Sequence, residues 1–76
     1  MNELNGRDKA ILDMANKTLN RIFICMMRGK TTREQSRSDM EFLANLRENL
    51  YQRQAKRLDY AEISKQITAI FLKYAS

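Results

Sequence analysis

The sequence predicts an all-α protein, an antiparallel helical hairpin followed by a third C-terminal helix. Proline is absent and glycine occurs only at Gly6 and Gly29, so long helical stretches meet one interior corner. Apolar residues recur at spacings of three and four. The corner "MMRGKTTRE" combines a helix stop with a helix start. Two arrangements follow: a small three-helix bundle, or a long-helix hairpin that oligomerises.

Residues 1–7 read as a flexible tail and residues 8–28 as the first helix. Leu12, Ala15, Leu19, Ile22, Phe23 and Met26 share one face, and Asp8 suits the positive end of the helix dipole. Gly29 can take the left-handed conformation that ends a helix, with Arg28 beside the negative end.

The second helix is expected over 31–57, starting at Thr31 or Thr32. "TTRE" has the form of a capping box in which a threonine hydroxyl accepts from the amide three residues on and Glu34 reaches back. Its apolar face is Met40, Phe42, Leu43, Leu46 and Leu50, with Tyr51 on the flank. A short corner makes these two helices antiparallel.

The third helix, over 59–75, carries the stripe Tyr60, Ile63, Ile67, Ile70, Phe71 and Tyr74. Asp59 with Glu62 is a fresh start. "QRQAKRLDYAE" has no glycine or proline, so a continuous second helix is the alternative; the polar gap at Arg53, Gln54 and Arg57 favours a break near Leu58.

Seventy-six residues make a single domain, 1–76, that buries only roughly 60–65% of its unfolded surface. Such a core is marginal and asks for reinforcement. Cys25 is the single cysteine and histidine is absent, so neither an internal disulfide nor a zinc cluster is expected, and no cofactor is implied. Self-association or a protein partner remains. The stretch "MNELNGRDKAILDMANK" lacks a basic segment followed by an apolar run, and nothing approaches the roughly 18 apolar residues of a membrane span. The expected location is cytoplasmic, away from membranes.

The net charge of +5 is concentrated. Arg28, Lys30, Arg33 and Arg37 against Glu34 leave +3; Arg47, Arg53, Lys56 and Arg57 against Glu48 leave another +3; the remainder is −1. The first patch surrounds Thr31 and Thr32 at a helix N-terminus, where free amides attract anions and cations cost stability. It is not a nucleotide-binding P-loop, because Ile24 stands where the first glycine is needed and a helical pattern precedes it. The second patch spaces Arg53, Lys56 and Arg57 on one side of a helix, between Tyr51 and Tyr60. Both patches also read as solvated helix faces. A helix-turn-helix fails because "TAIFLKYAS" after Ile67 leaves no room for a recognition helix.

Catalysis is not expected, given the missing histidine and carboxylates spread over polar surfaces. Cys25, inside "IFICMM", reads as a buried thiol. That segment is apolar on more than one face, so Ile24, Met26 and Met27 form a candidate interface edge, or alternatively an ordinary core. Leu72, opposite Ile63, is a fourth interface candidate.

The layout, a basic helical hairpin with its corner at "RGKTT", is similar to several small hairpin families: plasmid copy-number regulators that bind RNA loops as dimers, co-chaperones of type III secretion needles, and phage proteins that sequester nucleotide signals. The resemblance is one of architecture over residues 8 to 57 and assigns no residue a role. Two functions follow as expectations. The first is a non-enzymatic regulatory or interaction protein, oligomeric or partner-bound. The alternative is a nucleic-acid or nucleotide-phosphate binder using the basic residues above. The first is favoured, because surplus apolar surface can be named whereas base-reading side chains cannot.

Overall fold

A computed structural model describes residues 6–52 and 59–75, which form three helices: α1 (Gly6–Met27), α2 (Arg33–Gln52) and α3 (Tyr60–Lys73). The all-α, three-helix expectation holds. α1 is the shared element and packs along both α2 and α3. α3 runs parallel to α1, since Tyr60 Oη reaches Asp8 at one end (2.6 Å) and the Cys25 thiol donates to the Tyr74 carbonyl at the other (3.2 Å). The order is therefore up, down, up.

Each helix carries a seam with alternating spacings of three and four. On α1 it is Ile11, Ala15, Thr18, Ile22 and Cys25; on α2, Ser36, Asp39, Leu43, Leu46 and Leu50; on α3, Tyr60, Ile63, Ile67, Ile70 and Tyr74. This is the spacing by which bundle helices interdigitate. The buried polar members are satisfied locally. Thr18 donates to the Met14 carbonyl (2.8 Å), and the Ser36 and Thr31 hydroxyls share a 3.0 Å hydrogen bond.

The first helix differs from expectation at both ends and in its face. It is already helical at Gly6, the first described residue, and α3 packs on that turn, with Arg7 over the Tyr60 ring (5.7 Å) and Asp8 accepting from Tyr60 (2.6 Å). It ends at Met27, with Arg28 as the cap. Phe23, expected in the core, is 49% exposed, while Ile11, Thr18 and Cys25 are buried. Having α3 on one side and α2 on the other rotates the buried arc of α1 away from Phe23 and widens it.

The corner is a Schellman turn. Lys30 N–H bonds the Cys25 carbonyl (2.9 Å), Gly29 N–H bonds that of Met26 (3.1 Å), and Gly29 has φ +73. The capping box that follows is one residue later than "TTRE" suggested. Gln35 N–H donates to the Thr32 hydroxyl (3.1 Å) and Thr32 N–H to Gln35 Oε1 (3.3 Å), so α2 starts at Arg33 and not at Thr31. Glu34 is not the partner, because Thr31 is held by Ser36.

Asp59 caps α3 by accepting from Glu62 N–H (3.1 Å), as expected, and the helix ends at Lys73 with Tyr74 as its cap. The tail at 1–5 and the end of the second helix at 53–57 lie outside the described residues.

Candidate functional site

The site candidates sort by the face each helix turns towards α3. On α1, Cys25 faces α3 through its bond to Tyr74. On α2, Asp39 does so, accepting from Tyr74 Oη (2.6 Å) and Lys73 Nζ (3.0 Å) at one carboxylate oxygen. Successive helical residues turn by about 100°, so residues two places away point about 160° from these. On α1 those are Phe23 and Met27; on α2, Arg37 and Glu41. All four are exposed, Met27 at 80%. They lie on the side of the hairpin that α3 leaves uncovered.

The expected interface group is divided. Met26 packs against the core and Ile24 is half-buried. Met27 belongs to the uncovered face. Leu72, 66% exposed, sits on α3 about 140° from the buried Ile67, away from Met27. Phe23 joins Met27 one turn away on the same strip. Its signal was present in the sequence: the 11-15-18-22-25 seam excludes Phe23, but Thr18 and Cys25 are weakly apolar and hide that line from a count of large hydrophobics.

Arg28, Lys30, Thr32, Arg33 and Arg37 are all exposed around the corner, and Thr31 is half-buried. Arg28, Arg33 and Arg37 form no ion pair among the described residues. Arg53, Lys56 and Arg57 lie outside those residues. Arg47 is half-buried, its Nε inaccessible and without a hydrogen-bond partner.

A cleft of about 400 Å³ opens at the corner end, lined by Cys25, Lys30, Thr31, Gln35, Lys73 and Tyr74. Its polar groups are already engaged: Thr31 with Ser36, Gln35 with Thr32, Lys73 with Asp39. Burial alone would push the Asp39 carboxyl up, but hydrogen bonds from Tyr74 and Lys73, with the charge of Lys73, outweigh it and hold the group below the ordinary carboxylate value. Burial and then Asp39 push the Tyr74 hydroxyl up, against a smaller downward pull from Ser36. The bond to Asp39 likewise raises Lys73. This arrangement is a clasp between helices.

Among the described residues no group of three or more His, Cys, Asp or Glu is placed to hold a metal ion, and no helix is long and apolar enough to cross a membrane. Comparison with family models, with curated proteins and with solved structures finds no match to this chain.

Proposed function

We propose that this chain is a small non-enzymatic interaction protein, of adaptor, inhibitor or co-chaperone type, that works as an oligomer or partner complex through the uncovered face of its hairpin. The observation that supports this is the pair Phe23 and Met27, one helical turn apart and 49% and 80% exposed. Full burial of such a side chain is worth about 1.5–3 kcal/mol relative to full exposure, so covering what is left exposed yields most of that at Met27 and about half at Phe23. A core of this size gains stability from any partner that binds only the folded state. Methionine adapts to varied partner shapes, which suits a regulatory contact.

The exposed cations at the corner favour a second reading, binding of a polyanion by Arg28, Lys30, Arg33 and Arg37. Its mark is affinity that falls steeply with salt.

The experiment compares the chain with its F23E/M27E variant after nuclease treatment and high-salt washing, by light scattering and circular dichroism. The expected result is a wild-type mass well above 9.0 kDa, by self-association or with a stoichiometric protein, and a helical variant at 9.0 kDa. Equal masses for the two overturn the reading. A salt-sensitive complex with mixed oligonucleotides, lost when the four corner cations become alanine, replaces it with the second.

A further inference from the structure

We infer that the uncovered face is filled by a second copy of this chain, packed antiparallel across a two-fold axis that crosses α2 near Met40. This rests on the reading of that face as a protein contact and names its occupant.

The argument is the charge order along α2. Its outward line runs Arg33, Arg37, Glu41, Ala44 and Glu48, at spacings of four, four, three and four, and all five are exposed. Cations predominate towards the corner, where Glu34 lies beside Arg33, and the outward charges from Glu41 onward are anions. Within one helix, Arg37 preceding Glu41 is the less favourable order for a pair four apart, and neither joins an ion pair among the described residues.

An antiparallel copy reads acid where this one reads base. Arg37 then faces Glu41 of the other copy and Glu41 faces its Arg37, while Arg33 falls level with Asn45, three residues short of Glu48. The two-fold contact thus makes the Arg37–Glu41 pair twice. A parallel copy would set like charges against each other. An acidic helix or a nucleic acid would match Arg33 and Arg37 but oppose Glu41 and Glu48, so the whole line fits this chain better than it fits either.

The apolar strip agrees with the same axis. Phe23 and Arg37 stand equally far from the Lys30 corner, so in the antiparallel hairpin they lie at one level, within about one helical turn of the axis. Both Phe23–Met27 pairs are thereby covered on the α1 side of the contact. Ala44 leaves no bulk to hold the two α2 helices apart. The product is four hairpin helices in two facing layers, with an α3 outside each.

The test is charge reversal, read by sedimentation equilibrium over a range of protein concentrations, with circular dichroism confirming that each exposed substitution leaves the helices intact. The wild-type chain is expected at about twice 9.0 kDa. R37E and E41R should each weaken the dimer roughly tenfold or more, because like charges then meet twice. Mixing R37E with E41R should restore a heterodimer, and the R37E/E41R double variant should restore the homodimer. A wild-type monomer at all concentrations overturns self-association, while a hetero-partner lost in F23E/M27E would still uphold the face. A dimer sensitive to F23E/M27E but indifferent to both charge reversals overturns the antiparallel register alone. A dimer indifferent to all four substitutions overturns both readings.

Discussion

The Tyr74 hydroxyl and the Lys73 ammonium converge on one oxygen of Asp39, at 2.6 and 3.0 Å, tying the last turn of α3 to α2. Tyr74 is buried and the Asp39 side chain 19% exposed, so the phenol–carboxylate bond is shielded where the lysine contact is not. The same tyrosine takes the Cys25 thiol on its carbonyl. All three helices thus meet at one residue.

Removing that hydroxyl should cost stability. Tyr74→Phe is expected to lower the unfolding free energy by about 1.5–3 kcal/mol, the range for a hydrogen bond to a charged group. The pH dependence has a definite sign. The folded Asp39 value is depressed, so its contribution is complete above the unfolded value of about 3.9 and is lost as pH falls through the folded value. Tyr74 is raised, so its share is complete below about 10 and is lost as pH rises through its folded value. Urea midpoints for wild type and D39N should converge in acid and separate towards neutrality; parallel curves would show that the clasp does not form.

At the corner, the Schellman turn and capping box predict an order of effects. Gly29→Ala should destabilise by about 1–2 kcal/mol although a Cβ meets nothing there, because φ +73 is strained for an L residue. Thr32→Ala should cost about 1 kcal/mol and Glu34→Ala less, since Gln35 and not Glu34 closes the box. Chemical denaturation of the three variants checks the ranking. A larger loss at Glu34 than at Thr32 would return the box to "TTRE".

The core and the far side of α3 should respond oppositely. Ile22→Ala or Leu43→Ala leaves a cavity at a fully buried site and should cost about 2–5 kcal/mol, comparable to the whole stability of a domain this small. Leu72→Ala, at an exposed site, should stay within about 0.5 kcal/mol. Thermal melts of the three variants test this, and a large loss at Leu72 would mean that another surface covers it.

The helical class, the corner and the fresh start at Asp59 were legible because they depend on neighbours in the chain. The number of helices stayed open between a three-helix bundle and a long-helix hairpin. Gly29, the Thr32 box and the Asp59 cap act over three to five residues, and the α3 stripe from Tyr60 to Tyr74 repeats without a gap. The α1 face was less legible. Counting large apolar residues assigned Phe23 to the core and passed over Thr18, whereas volume beside α3 decided in favour of the smaller side chain.

What the sequence by itself determined is therefore the all-α class, the antiparallel hairpin and a basic corner, all set by backbone preference, periodicity and charge. Only the tertiary structure decided which arc of α1 is buried, that Asp39 is spent on Tyr74 and Lys73, and that Phe23, Met27, Arg37 and Glu41 share one uncovered face. The physical reason is that a helix has its own period but no preferred rotation about its axis. That rotation is set by the two neighbours competing for its surface, here α2 and α3, and it settles which of the remaining side chains are left to meet something else.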